Sequence, residues 1–384
     1  MPGPNVRAVG DPVQYHPGQP GGIARAAEPT IERIAAVAGY GPQDPAFRVR
    51  LELPGRALAA GGLELLLLPL LSADQAQRFR TSGIAGKAEV VVRARRRLRR
   101  ELRDLGDGAR TVVVQRQVDI APSLSLERAA VDARRLVYDV DDAVWLSGRQ
   151  TMGHSMGFLK GARRKVRWLA ERADHIIAGS EILAQYLGRY NEEVTVIPSL
   201  VDTTAYAVRE HEHSASVTLG WIGSPTTAVY LHRLAPVIER FAVQSPRPVR
   251  LRVVGGPAPC LTNVDVEQRA WSLRAERDAL AEMDIGLMPL DDSPWSRGKC
   301  AYKALQYMAS GIPALVDDVG VSASVVGDAG YAVASSAEWL EGLHVLAADP
   351  SLRTLLGGAG RRRVEEDFSY DRWLPTLATI LRGG

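Results

Sequence analysis

The chain has 384 residues, of which 46% are hydrophobic and 24% charged, with a formal net charge of +3. That length supports two domains with cores of their own, and so small a charge does not mark a nucleic-acid binder. No uncharged apolar run reaches the roughly 18 residues of a membrane span. The N-terminus lacks the apolar core of a secretory signal, and two cysteines, Cys260 and Cys300, make no disulfide framework. These features predict a cytoplasmic protein.

In chain order, residues 1–46 are rich in Gly and Pro and predict a partly disordered arm with one helix, TIERIAAVAG. FRVRLEL (47–53) predicts a first strand, PGRALAAGG a short helix ended by glycine, and LELLLLPLL a buried strand. RARRRLRRELRDLG (93–106) predicts a helix with Ala94, Leu98, Leu102 and Leu105 on one stripe and arginines on most other faces. The strand TVVVQR, the helix SLERAAVDAR and the strand RLVYDV follow. KGARRKVRWLAERAD (160–174) repeats the basic pattern, with Val166, Leu169, Ala170 and Ala173 as its apolar side. Such basic helices are either solvated faces or contacts for anionic lipid or a phosphorylated acceptor. HIIAGS and EVTVIPS close the first array.

AYAVREHEHSASV (205–217) is polar and without apolar period, and predicts a linker. A second alternation follows: VTLGWIG, a helix through LHRLAPVIERFAVQ, VRLRVVGG, a helix through RAWSLRAERDALAEM, DIGLMPL, a helix at 299–310, and IPALVDD. Short apolar runs alternating with helices indicate parallel strands buried on both faces. The expected division is a first Rossmann-like domain over 47–204, the linker, a second such domain over 218–365 and a crossing helix over 366–384.

Two turns in the second array suit an anion. GWIGSPTT runs a strand into a turn opening a helix, where backbone N–H groups at Gly223 and the hydroxyls of Ser224, Thr226 and Thr227 can hold phosphate; plain N-capping by Ser or Thr is the alternative. In SPWSRGKCAYKALQ, Lys299 and Lys303 fall at i, i+4 near a helix start, where acidic residues are the usual choice. A pyrophosphate answers both turns. VYDVDDAVW sets Asp139, Asp141 and Asp142 past a strand end, as ligands for a hard cation or as turn caps. Arg116, at the end of the preceding strand, is a partner for Asp141 and weakens the metal reading. His154 lies in the loop TMGHSMG past the same sheet edge. His211 and His213 belong to the linker and receive no role.

In order and spacing, VYDVDDAVW, ADHIIAGSEILAQYL, VTVIPSLVD, GWIGSPTTAVYLHRL, DIGLMPL, KCAYKALQYMASGIPALVDDVGV and AGRRRVEEDFSYDRWL resemble the retaining glycosyltransferases of family four, over roughly residues 47–384. The resemblance implies an α/β protein of the GT-B fold: two Rossmann-like domains face a central cleft and a C-terminal helix crosses back to the first. It implies a donor site for a nucleotide-diphosphate sugar in the second domain, with Gln306 at the ribose and with no cofactor and no metal; the turn residues Gly223, Ser224, Thr226 and Thr227 and the lysines Lys299 and Lys303 are expected to complete it. It places the acceptor, a carbohydrate, lipid-linked or small molecule, in the first domain beside Arg116, with His154, Asp141 and Asp142 positioning acceptor and sugar. Peripheral contact with the anionic inner face of a membrane is expected, and nucleic acid is not. The family pattern has two glutamates spaced E-x7-E, where this chain has Gly298 and Gln306. Its Arg and Lys around the first turn of the second domain are also absent from SPTTAVYL, a charge that Lys299 and Lys303 are expected to replace. Its Gly-rich loop after the first strand is missing unless GQPGGIAR (18–25) substitutes. Three other readings stay open or are set aside. A non-catalytic nucleotide-sugar-binding protein on the same fold remains, a metal-dependent transferase of the GT-A kind leaves the second array unexplained, and an NAD-dependent oxidoreductase lacks G-x-G-x-x-G.

Overall fold

A computed structural model describes residues 31–146 and 161–384. It contains two six-stranded sheets, both parallel throughout, within one compact unit, Ile31–Gly384. The first has the order β2-β1-β3-β4-β5-β6, built from β1 Glu32–Tyr40, β2 Leu63–Leu71, β3 Thr111–Gln115, β4 Arg135–Val140, β5 His175–Ala178 and β6 Val194–Val196. The second has the order β12-β11-β10-β7-β8-β9, from β7 Val217–Ile222, β8 Val249–Val254, β9 Val264–Arg269, β10 Ile285–Met288, β11 Ala314–Asp317 and β12 Gly330–Val333. The last helix, Tyr370–Arg382, packs Leu377, Ile380 and Leu381 into the core beneath the first sheet, against Ile34, Val113 and Val137. Each such side chain contributes about 1.5–3 kcal/mol of burial, so the chain's end is firmly fixed to its first half. Arg135 adds a bond from Nη1 to the Ile380 carbonyl at 2.7 Å.

Two early expectations are corrected. TIERIAAVAG is strand β1, not helix. Alanine favours helix in isolation, but here Ala35, Ala36 and Ala38 are wholly buried in a central strand paired on both sides, and tertiary context decides. FRVRLEL is helical, not strand. Asp44 accepts a hydrogen bond from the Ala46 N–H and Pro45 opens the first turn, a start signal that outweighs the period-2 pattern. The helical path runs on through Arg48–Glu52 into Leu53–Ala59. Two edge strands, β9 and β12, lie where no strand was expected. A short 3-10 turn, Thr203–Ala205, opens the linker and residues 206–216 contain no regular element, but they are anchored: Arg209 pairs with Asp284 at 2.8 Å and buried His211 bonds Nε2 to the Gly311 carbonyl at 2.9 Å.

Candidate functional site

The order of the second sheet explains where its ligand-ready loops meet. The chain steps from β7 to β8 and β9 on one side, then returns to lay β10 on the other. At such a switch point the loops after the two central strands diverge and leave a crevice at their carboxyl ends. The loop after β7 is Gly223–Thr227, and the loop after β10 carries residues 289–301. A bond from Ser296 Oγ to Tyr230 Oη, 3.1 Å, ties the second loop to the helix that follows the first, Ala228–Gln244.

The turn after β7 needs glycine at 223, since a β-carbon there would lie 2.5 Å from the Trp221 ring and 2.9 Å from Thr227 Oγ1. Ser224 Oγ and Thr226 Oγ1 bond to one another at 2.8 Å, and Thr227 Oγ1 donates to the Ser224 carbonyl at 3.1 Å. Thr227 is the N-cap residue but makes no side-chain capping bond. The hydroxyls thus stabilise the turn, and the helix start is left without a side-chain acceptor, the situation in which an anion is favoured.

The lysines reach the same crevice by a route that spacing did not predict. The helix begins at Tyr302, not at 299, because Ala301 takes a left-handed conformation, φ 52°. Lys299 therefore lies in the lead-in, and the i, i+4 relation on a helix face does not hold. Its Nζ is 3.7 Å from Asp142 Oδ2 and 5.2 Å from the Trp295 ring centroid. Lys303 Nζ stands 5.7 Å from the Trp221 ring centroid, and among the described residues no carboxylate pairs with it. Burial, then repulsion from Lys299, pull its pKa down to about 7 against the attraction of Asp142. A cation held beside a second cation over an aromatic face gains from any anion that enters.

Gln306, one turn on from Lys303, is buried. Its amide donates to Glu276 Oε1 at 2.7 Å and to Tyr206 Oη at 3.3 Å. Glu276 also accepts from Trp271 Nε1 at 2.8 Å, and Arg48, from the other half of the chain, lies 3.8 Å over the Trp271 ring. Burial raises the Glu276 pKa above the ordinary carboxylate range, opposed by Trp271, Arg48 and Gln306. The sequence reading missed this carboxylate. The signal was present: on helix Leu273–Leu280, Glu276 shares the buried stripe of Ala279 and Leu280.

Across the crevice stands the rim of the first sheet. Arg50 binds Asp139, with Nη2 2.5 Å from Oδ1, both groups buried, and also donates to the Ile197 and Pro198 carbonyls. Arg116, left-handed at φ 54°, grips Asp141 through Nε at 2.5 Å and Nη2 at 2.9 Å. Burial pushes Asp141 up, but Arg116 outweighs it and holds the pKa below the usual value. Asp142 lies 3.7 Å from both Arg116 and Lys299, with burial raising its pKa. Each carboxylate of the Asp-x-Asp-Asp run thus already faces a cation, and among the described residues no group of three or more His, Cys, Asp or Glu is arranged to hold a metal. The rims touch: Cys300 Sγ donates to the Asp141 carbonyl at 3.1 Å, and a β-carbon at Gly298 would overlap Ala143. His154 and GQPGGIAR lie outside the described residues.

No protein-family model matches this sequence, and no curated protein does. Solved structures do match in three dimensions. HepE from Anabaena, in complex with UDP-glucose, superposes with a TM-score of 0.64 at 13% identity, over 92% of this chain and 100% of its own. Sucrose-phosphate synthase from Thermosynechococcus elongatus gives 0.63 at 14%, over 91% and 98%. TarM from S. aureus gives 0.57 at 11%, over 74% of this chain but 58% of its own. These likenesses show the fold: GT-B, two Rossmann-like halves facing a cleft, with the closing helix crossing back.

Proposed function

We propose that the protein is a glycosyltransferase that moves a sugar from a nucleotide-diphosphate donor to an acceptor, retaining the anomeric configuration and using no metal, as in family four. One observation carries this reading: the switch point of the second sheet brings an uncapped helix start and two lysines, one with no carboxylate partner among the described residues, into a single crevice. The diphosphate would lie between the Gly223–Thr227 turn and Lys299 and Lys303. As the glycosyl bond breaks, charge collects on the leaving diphosphate, and preorganised cations and N–H dipoles there lower the barrier. With Asp139, Asp141 and Asp142 engaged by Arg50, Arg116 and Lys299, the charge is met by lysine rather than by a carboxylate-bound ion. The acceptor would enter from the first half, with Arg116, Asp141, Asp142 and His154 positioning it. The reading is supported by HepE, which was solved with UDP-glucose, and by TarM, which was solved with fondaparinux, α-GlcNAc-glycerol and UDP. A carbohydrate, lipid-linked or small-molecule acceptor fits this chain. No described helix is long and apolar enough to cross a membrane, and any contact with anionic lipid would be peripheral.

The test is calorimetric titration with UDP, GDP, ADP and TDP, without and then with Mg or Mn. Metal-independent binding of one of them should weaken at least about tenfold in the Lys299→Ala/Lys303→Ala variant, the loss of charge-assisted phosphate contacts. Unchanged affinity in that variant would defeat the assignment. A second reading, a nucleotide-sugar-binding protein without turnover, is favoured by Gly298, where Ala143 leaves no room for the family's glutamate. Binding without transfer across a broad acceptor panel would select it.

A further inference from the structure

One concavity on the described surface lies away from the cleft. It is a basin of about 870 Å³ at the opposite end of the first sheet, below the amino ends of β3 and β4. One wall is the last turns of helix Ile84–Asp104, carrying Arg96, Arg99, Arg100 and Arg103; the other is Arg110 and Arg134, on the lead-ins to β3 and β4. One acidic residue, Asp132, lines it, and the floor includes buried Leu102 and Ala109.

The arginines of that helix divide by direction. Those pointing away from the basin are ion-paired: Arg93 with Glu89 at 2.5 Å, Arg95 with Asp119 at 3.2 Å and Arg97 with Glu101 at 3.4 Å. Among the described residues, none of the six that line the basin has a carboxylate within ion-pair distance. Arg134 is built in: its guanidinium donates to the Leu102 carbonyl at 2.8 Å and to the Ala130 and Asp132 carbonyls, tying the two walls together. Its Nε is buried without a partner, and the turn presenting it holds Ala133 at φ 54°. A helix carboxyl end favours cations in its last turn by about 0.3–1 kcal/mol each, which accounts for Arg103 but not for Arg96, Arg99 and Arg100 further up the helix. It does not account for Arg110 on the second wall, or for a concave meeting of both.

We infer that this basin binds a compact ligand carrying two or more phosphate groups, at a site separate from the donor cleft. Guanidinium forks match phosphate oxygens bidentately, the volume lies in the range of small-molecule sites, and a multiply charged anion relieves the grouped cations where a monoanion would not. A soluble polyphosphorylated molecule and a phosphorylated lipid headgroup share that chemistry.

The test titrates inorganic tripolyphosphate by calorimetry into three variants and the native protein. Two binding events are expected in the native protein. Arg99→Gln/Arg100→Gln/Arg110→Gln should weaken one by at least about tenfold, and Lys299→Ala/Lys303→Ala should weaken only the other. Arg189→Gln/Arg274→Gln/Arg362→Gln, which removes three exposed arginines elsewhere, should change neither. Retention of both events in the basin variant, or an equal loss in the control variant, overturns the site and shows diffuse charge instead. Absence of the lysine-dependent event counts against the donor site and leaves the basin standing. Sedimentation with phosphatidylcholine vesicles, with and without a phosphatidylinositol phosphate, separates the sources. Retention on the phosphorylated vesicles that is lost in the basin variant assigns a lipid headgroup; tripolyphosphate binding without retention assigns a soluble ligand.

Discussion

A glutamate at position 306, where the resembling family carries one, would set its carboxylate against that of Glu276, which accepts the Gln306 amide at 2.7 Å. Both positions are buried. Two carboxylates at that separation cannot both ionise, so one is forced to hold a proton or the helices part. The amide is therefore the partner that Glu276 requires, and the negative charge of this corner resides on helix Leu273–Leu280 rather than on helix Tyr302–Ala309. Gln306→Glu is expected to destabilise the fold by about 2–4 kcal/mol. Glu276→Gln/Gln306→Glu restores one acid and one amide and should recover most of the loss, together with donor affinity. Thermal melts of the three proteins decide it: a single variant that melts with the native protein means water already separates the two side chains.

At the scale of elements, the start of helix Tyr302–Ala309 makes the cleft sensitive to pH. Burial and Lys299 draw Lys303 down to about 7, with Asp142 opposing. Below that pH the free protein already carries the charge; above it, Lys303 is neutral until an anion binds and raises its pKa. If the proposed donor site holds, diphosphate binding is expected to take up a proton above about pH 7, with affinity falling by up to about tenfold per unit as pH rises. Titrations from about pH 6 to pH 9 in buffers of different ionisation enthalpy measure both effects. Lys303→Arg, charged throughout, should flatten the profile, and a native profile already flat would assign the proton elsewhere. The sequence showed that a cation was out of place here, but not how it was held. Alternating apolar runs made most central strands legible, as did the turn after β7. Strand β1 was hidden because its alanines read as helix, and the short edge strands β9 and β12 had too little apolar run to register. The segment 47–53 was misread because Phe47, Val49 and Leu51 alternate with polar residues, while Arg50 is buried against Asp139. Pairings such as Glu276 with Gln306 span 30 residues or more and leave no local period to read.

For the whole molecule, the question is how the two halves meet. They are joined covalently by two crossings that lie side by side: Val201 N–H donates to the Phe368 carbonyl at 2.9 Å, and Val201 bridges Ser369 in parallel register. A paired crossing of this kind is a natural hinge, because the closing helix is packed in the first half while the chain leading into it belongs to the second. Among the described residues, the contacts across the cleft include Arg48 over Trp271, Lys299 near Asp142, and Cys300, which is buried in the first half's core with Val140 and Ala143 and donates to the Asp141 carbonyl. Interfaces within one chain of that limited, mixed character allow relative motion of the halves. Gly298 is the tightest point, with Ala143 N 3.0 Å from where its β-carbon would stand and the Ala143 β-carbon closer still. Overpacking in a rigid core costs about 1–3 kcal/mol, but here rotation about the hinge relieves the clash before strain accumulates. Gly298→Ala should therefore leave the melting temperature nearly unchanged while raising the radius of gyration in solution scattering. Donor affinity should fall, because the lysines on one rim lose Asp142 on the other. A variant with native scattering and native affinity would show that loop 141–143 yields instead, and that cleft closure does not depend on the missing side chain at 298.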